Sequence, residues 1–162
     1  VVSRYFSVLN SHKLYVDLLV RERQILKKLS QSAGLMYQID LLLSPDSEFF
    51  KAMWSWTEAS DDRVKIITYE DLTGPNRHQA FAGLFNHIGA GLDDRVLNAI
   101  LEKYSFKRLA GREQGCEDDK SHYRKGISGD WRNYFSEPHA ARVRELAGEL
   151  LIRLGYEKGM DW

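Results

Sequence analysis

Apolar residues recur at helical spacing along most of this chain. Val2, Tyr5, Phe6 and Leu9 share one helix face from the first residues onward. Residues 14–29 predict a second helix, with Leu18, Leu19, Ile25 and Leu26 inward. Its cations Arg21, Arg23, Lys27 and Lys28 form a solvated outer face. Residues 30–44 start polar and turn apolar at Leu35, Met36, Ile39 and Leu41, which predicts a loop followed by a short helix. Ser44-Pro45-Asp46-Ser47 breaks the pattern with helix-start chemistry. The helix after it should bury Phe49, Phe50, Met53 and Trp54 and end before Asp61 and Asp62.

Val64-Lys65-Ile66-Ile67-Thr68-Tyr69 departs from helical spacing and predicts a strand. One strand cannot satisfy its own backbone groups, so this segment calls for partners. Beyond a turn at Thr73-Gly74-Pro75-Asn76, helical periodicity resumes. One helix carries Ala80, Phe81, Leu84, Phe85 and Ile88 and stops at Gly89. The next starts at Asp93 and Asp94 and carries Val96, Leu97, Ile100 and Leu101. Residues 111–121 are polar and predict a mobile loop, a candidate lid. Ser136-Glu137-Pro138 opens the last helix, whose stripe of Val143, Leu146, Ala147, Leu150, Leu151 and Leu154 ends at Gly155.

With 162 residues and 43% hydrophobic content, the chain is expected to form a single domain, residues 1–162, with a real core. Its 23 basic and 23 acidic residues cancel, so no broad field favours nucleic acid and any anion site must be local. The single Cys116 cannot form an internal disulfide, which fits a reducing compartment and a cytoplasmic setting. No apolar run reaches spanning length, and no metal site is expected. The sequence opens at Val1 rather than Met, which raises the expectation of a fragment, a processed product or an upstream part not included.

The chemistry concentrates in His122-Tyr123-Arg124-Lys125-Gly126-Ile127-Ser128-Gly129-Asp130-Trp131. Adjacent cations precede a Gly-x-x-Gly turn. Glycine lets a backbone approach a ligand closely. Arg offers a planar fork of donors, and Lys a mobile charge. With backbone N–H groups, these suit a phosphate dianion. Tyr123 and Trp131 are placed to wall the loop against a core. On these residues alone, a phosphate site and a solvated basic turn stand level.

The same run resembles the Arg-Lys-Gly-x-x-Gly-Asp-Trp signature of sulfotransferases that use 3′-phosphoadenosine 5′-phosphosulfate (PAPS), continuously from Arg124 to Trp131. Arg132-Asn133-Tyr134-Phe135 extends the likeness. Tyr69-Glu70-Asp71-Leu72 resembles the run that closes a strand in that family, and Ser105-Phe106 resembles its Ser-Phe segment. Residues 1–6 resemble a third family stretch, and the tail 156–162 is similar to the endings of bacterial members.

The resemblance implies an α/β, P-loop-NTPase-like sulfotransferase fold, present here mostly as its helical C-terminal portion with few strands. It implies that Arg124, Lys125, Gly126 and Ser3 hold the cofactor's 3′-phosphate, and that Phe106 and Tyr69 meet its adenine, with Tyr104 on the same patch. It implies sulfuryl transfer from PAPS to a hydroxyl or amine of a small-molecule, glycan or lipid acceptor, with adenosine 3′,5′-bisphosphate as product. The family's phosphosulfate loop and its usual catalytic His, both from an N-terminal part, have no match among residues 1–162, and none of His12, His78, His87, His122 or His139 takes the base's place. No catalytic residue is therefore assigned. The stretch where many animal members carry a dimer motif has Arg132, Ser136-Glu137 and Ala141 instead. Two alternatives remain open: a non-catalytic helical nucleotide-binding or interaction module, and a nucleotide kinase. The kinase reading finds no γ-phosphate lysine.

Overall fold

A computed structural model describes residues 1–10 and 16–162. His12 and the expected start of the second helix at Leu14 lie outside the described residues. The chain divides into two compact units, Val1–Ala59 with Asp130–Trp162, and Ser60–Gly129.

The first unit is helical. It comprises α1 (Val2–Asn10), α2 (Asp17–Leu26), α3 (Gln31–Leu43), α4 (Glu48–Thr57), a 3₁₀ turn at Asp130–Asn133 and, later in the chain, the long helix Glu137–Arg153. Helix α3 is its hub and packs on α1, α4 and the long helix. The loop and short helix expected across residues 30–44 form this single helix. Ser30 caps it, its hydroxyl accepting from the Ala33 N–H at 3.2 Å. A polar first turn followed by apolar residues looks like loop then helix, but the cap makes it one element. Ser47 caps α4 in the same way, accepting from the Phe50 N–H.

Val2, Tyr5, Phe6 and Val8 of α1 pack with Leu26 and Leu35, while Phe50 packs with Ala147 and Leu150. Tyr5 sits so close to α3 that a Cβ on Gly34 would lie 2.6 Å from its ring. Two burial expectations fail. Leu18 and Ile25 are 76% and 40% exposed, and Phe49 is 50% exposed. Helix α2 instead turns Glu22, Arg23 and Leu26 inward. Arg23, expected outside, donates from Nε to the Val8 carbonyl at 2.9 Å. Hydrogen bonding makes the polar face the buried one, which hydropathy alone cannot anticipate.

Glu22 and Gln38 are buried together with the partly exposed Arg4. Arg4 Nη2 donates to Glu22 Oε2 at 2.8 Å, and the Gln38 amide donates to the same carboxylate. His139 is 2% exposed. Its Nδ1 accepts from the Ser136 N–H at 3.1 Å, so Nε2 carries the proton and donates to the Ser32 carbonyl at 2.9 Å. The buried histidine thus ties the long helix's first turn to α3.

The second unit holds α5 (Tyr69–Thr73), α6 (Arg77–His87), α7 (Asp94–Lys103) and α8 (Phe106–Ala110), which makes the long helix of the first unit α9. The expected strand at 64–69 is not formed, and the described residues contain no strand. Residues 64–68 run without regular structure, Ile66 is 54% exposed, and Tyr69 already belongs to α5, capped by Thr68. β-branched residues favour a strand only where a neighbouring strand takes up their backbone groups, and among the described residues none does. Leu97 and Leu101 of α7 are buried, as expected from the pattern.

The carboxylate in the α1–α2–α3 cluster generates a test. Burial pushes Glu22 up, but the bonds from Arg4 and Gln38 and the guanidinium charge outweigh it and hold the group below its ordinary 4.5. A depressed carboxylate stabilises above its unfolded pKa, and that stability is lost as pH falls through the folded value. Glu22→Ala should lower stability in urea by about 1–3 kcal/mol at neutral pH. The gap to wild type should narrow as pH falls through the folded-state pKa, below which the carboxylate is protonated. A pH-independent gap would refute the ion-pair account.

Candidate functional site

The basic turn is built on glycine. Gly126 and Gly129 have φ of 70° and 74°, in the left-handed region that side chains resist. A Cβ on Gly126 would lie 2.8 Å from Phe106 Cγ and nearer still to the ring edge. The backbone of the turn therefore rests on the Phe106 ring. The sequence separates these two residues by the whole of α8 and the polar loop, and the fold joins them.

Helix α8 begins at Phe106 because Ser105 caps it, and it ends at Gly111, whose φ of 69° turns the chain back. Residues 111–121 then follow the basic turn closely. The Gly115 N–H donates to the Lys125 carbonyl, and the Asp118 N–H to that of Arg124, both at 2.9 Å. Gln114 Nε2 donates to the Gly126 carbonyl at 2.7 Å. Arg112 donates from Nε to the Cys116 carbonyl at 3.0 Å, and from Nη2 to those of Tyr123 and Arg124. The expected mobile loop is thus laced to the turn it precedes.

Both cations turn to the same acid. The Arg124 side chain is 8% exposed and that of Lys125 15%. Arg124 Nη1 pairs with Glu117 Oε1 and lies 3.9 Å from Asp119 Oδ1. Lys125 Nζ lies 3.2 Å from Glu117 Oε2. Desolvating a cation is costly without a counter-charge, and Glu117 provides it. Burial, then the hydrogen bond and charge of Glu117, pushes the Asp119 carboxyl above its ordinary range. The arrangement brings two partly dehydrated cations onto Glu117, with Asp119 close to Arg124.

A cavity of about 420 Å³ adjoins the turn, lined by Tyr69, Phe81, Tyr104, Phe106, Tyr123 and Gly126, with Arg77 and Gln114 as polar groups. Of the sequence-predicted residues, Tyr69, Phe106 and Gly126 thus share one cavity wall, and Tyr104 joins them. Tyr69 remains 50% exposed, and burial, then the charge of Glu70, raises its phenol pKa. Ser3 is exposed on α1, in the first unit. Tyr123 and Trp131, expected to wall the loop against a core, are 40% and 38% exposed; Tyr123 lines the cavity, and Trp131 packs between Arg132 and Phe135. His122 packs edge-on against Tyr123.

Sequence reasoning missed Arg77, Arg112, Gln114 and Glu117. The last three lie in the polar run taken as a lid. Its glycines and alternating charges carried no periodic signal, although Glu117 and the cations it meets are close in sequence. An aromatic-lined cavity beside converging cations fits a flat ring joined to an anion. Among the described residues no cluster of His, Cys, Asp or Glu is arranged to hold a metal, and no helix is long and apolar enough to cross a membrane.

The Gly126–Phe106 contact can be isolated experimentally. Gly126→Ala should lose about 1–2 kcal/mol through its left-handed backbone, and about 1–3 kcal/mol more by displacing the ring. Gly89 has φ 73° but nothing within 4 Å of a built Cβ, so Gly89→Ala isolates the backbone contribution. Equal losses in urea denaturation would show that the ring contact contributes nothing.

The sulfotransferase domain matches residues 1–155 of the chain. Sulfotransferase 6B1 of Danio rerio is 29% identical over 123 residues, covering 67% of this chain and 40% of that protein. Sulfotransferase 1E1 of Cavia porcellus is 28% identical over 91 residues, 50% of this chain and 30% of the relative. Sulfotransferase 1C2 of Homo sapiens is 24% identical over 109 residues, covering 60% and 36%. The chain thus spans two fifths or less of the length of these relatives. No solved structure matches it significantly. A match that runs over nearly all 162 residues, through the turn and the cavity alike, settles the relationship: the chain belongs to the sulfotransferase family.

Proposed function

We propose that the chain is the nucleotide-holding, C-terminal part of one sulfotransferase domain and binds 3′-phosphoadenosine 5′-phosphosulfate. The observation that carries this reading is the convergence of buried Arg124 and half-buried Lys125 on Glu117, on a turn whose Gly126 backbone joins Phe106 and Tyr69 in the wall of a cavity. Arg124 and Lys125 hold the 3′-phosphate in place of Glu117, and the Gly126 N–H donates to it. Phe106 and Tyr69 face the adenine, and Ser3 is assigned to the cofactor on the sequence resemblance alone. When bound, the cofactor supplies the sulfuryl group for a hydroxyl or amine on a small-molecule, glycan or lipid acceptor. No residue among 1–162 is assigned a role at the reacting sulfur. These side chains act by fixing the nucleotide's position, which is a major source of rate in group transfer.

The finer fold reading belongs to the same proposal. In an α/β, P-loop-like domain the β-branched run at 64–68 would add to a parallel sheet, and the exposure of Ile66 supports this. The lone Cys116 supports a reducing, cytoplasmic setting.

Calorimetric titration with adenosine 3′,5′-bisphosphate tests the reading. Charged hydrogen bonds contribute about 1.5–3 kcal/mol each, so Arg124→Ala/Lys125→Ala should weaken binding about 100-fold or more. Adenosine 5′-monophosphate, which lacks the 3′-phosphate, should bind both proteins alike. Equal affinity of wild type and double variant for the bisphosphate would end the proposal.

Glu117 provides a separate prediction. A phosphate arriving at the cations must displace this carboxylate. Glu117→Gln should therefore tighten bisphosphate binding, by about tenfold if roughly 1.4 kcal/mol of competition is removed. Weaker binding would show that Glu117 supports the site rather than competing for it.

A further inference from the structure

We infer that Arg112 is the positioning residue of the basic turn, setting the direction of its backbone donors without touching the ligand. This rests on the nucleotide reading above. The Arg112 guanidinium is shared among four carbonyls from three segments. Nη1 donates to Ala110 at 3.3 Å, at the end of α8. Nε donates to Cys116 at 3.0 Å, in the loop. Nη2 donates to Tyr123 and, at 2.9 Å, to Arg124. Its Cζ also lies 5.4 Å from the centre of the Phe106 ring, close enough for a cation–π contact.

These partners decide the geometry of the turn. In a trans peptide the N–H points opposite to the C=O of the same unit. With the Tyr123 and Arg124 carbonyls drawn to Arg112, the N–H groups of Arg124 and Lys125 face away from it. The Lys125 carbonyl, held by the Gly115 N–H, sets the Gly126 N–H in the same manner. Arg112 therefore fixes the Arg124 and Lys125 donors, next to the Gly126 donor set by Gly115, and meets the Phe106 ring on its other side, so that anion and ring sites keep a constant spacing. Only a planar fork reaches carbonyls on several segments at once, and a lysine ammonium offers one point charge on a flexible stem.

The test compares adenosine 3′,5′-bisphosphate with adenosine 5′-monophosphate on wild type, Arg112→Ala and Arg112→Lys. Both variants should lose the bisphosphate preference, with its affinity down tenfold or more and monophosphate affinity unchanged. Melting curves confirm that folded protein is compared. If Arg112→Ala does not fold, Arg112→Lys, which keeps charge and stem, gives the same comparison. Retained preference, or a parallel loss for both nucleotides, would overturn the assignment and leave Arg112 a general structural residue. A normal response of Arg124→Ala/Lys125→Ala beside an unaffected Arg112→Lys would remove this inference alone. An unaffected double variant would remove the nucleotide reading beneath it.

Discussion

The second unit is organised by a backbone lying directly on an aromatic ring. Gly126 meets Phe106 with no side chain between them, and that contact requires both the missing Cβ and a left-handed φ. Once the turn sits on the ring, its carbonyls face the preceding loop, and Arg112, Gln114, Gly115 and Asp118 bond to them. Its cations are then held close to the loop's acids. The cavity wall, the buried charges and the laced loop follow from one close approach.

Charge burial follows a common rule in both units. Arg124 is nearly enclosed, and its guanidinium is matched by Glu117, with Asp119 nearby. In the first unit Arg4, Glu22 and Gln38 form a comparable cluster between α1, α2 and α3. The difference lies in the surroundings. The Glu22 cluster is packed among helices, whereas the Glu117 pairs lie on a turn beside a cavity. An ion pair enclosed by helices serves the fold. The Glu117 pairs instead belong to a loop and turn whose neighbours Gln114, Tyr123 and Gly126 line the cavity.

Several elements were legible from the residues themselves. Helices α1, α4, α6, α7 and α9 follow apolar spacing, and their caps Ser47, Asp93 and Ser136 stand where the sequence marks them. The basic turn stood out by residue type and by resemblance, and Phe106 and Tyr69 by resemblance. Other expectations depended on partners that no local pattern encodes. The β-branched run 64–68 has strand composition but no neighbouring strand among the described residues. Leu18 and Phe49 had the right hydropathy for a core and lie largely exposed, while Glu22 and Arg23 are inside because hydrogen-bonding partners await them there.

By itself, the sequence determined where α4, α7 and α9 start and where α6 and α9 stop, where backbone of unusual φ is required, and that two cations precede such a turn. These are local properties, fixed by one residue and its immediate neighbours. Only the tertiary structure decided that Phe106 lies under Gly126, that Glu117 serves both Arg124 and Lys125, and that Arg112 binds carbonyls of three segments. Each of these depends on a reversal of the chain between the joined residues, and between Glu117 and Arg124 it is the turn closed by the Ser121 N–H on the Asp118 carbonyl. The geometry of such a reversal depends on the packing and hydrogen bonds around it, and composition does not carry it.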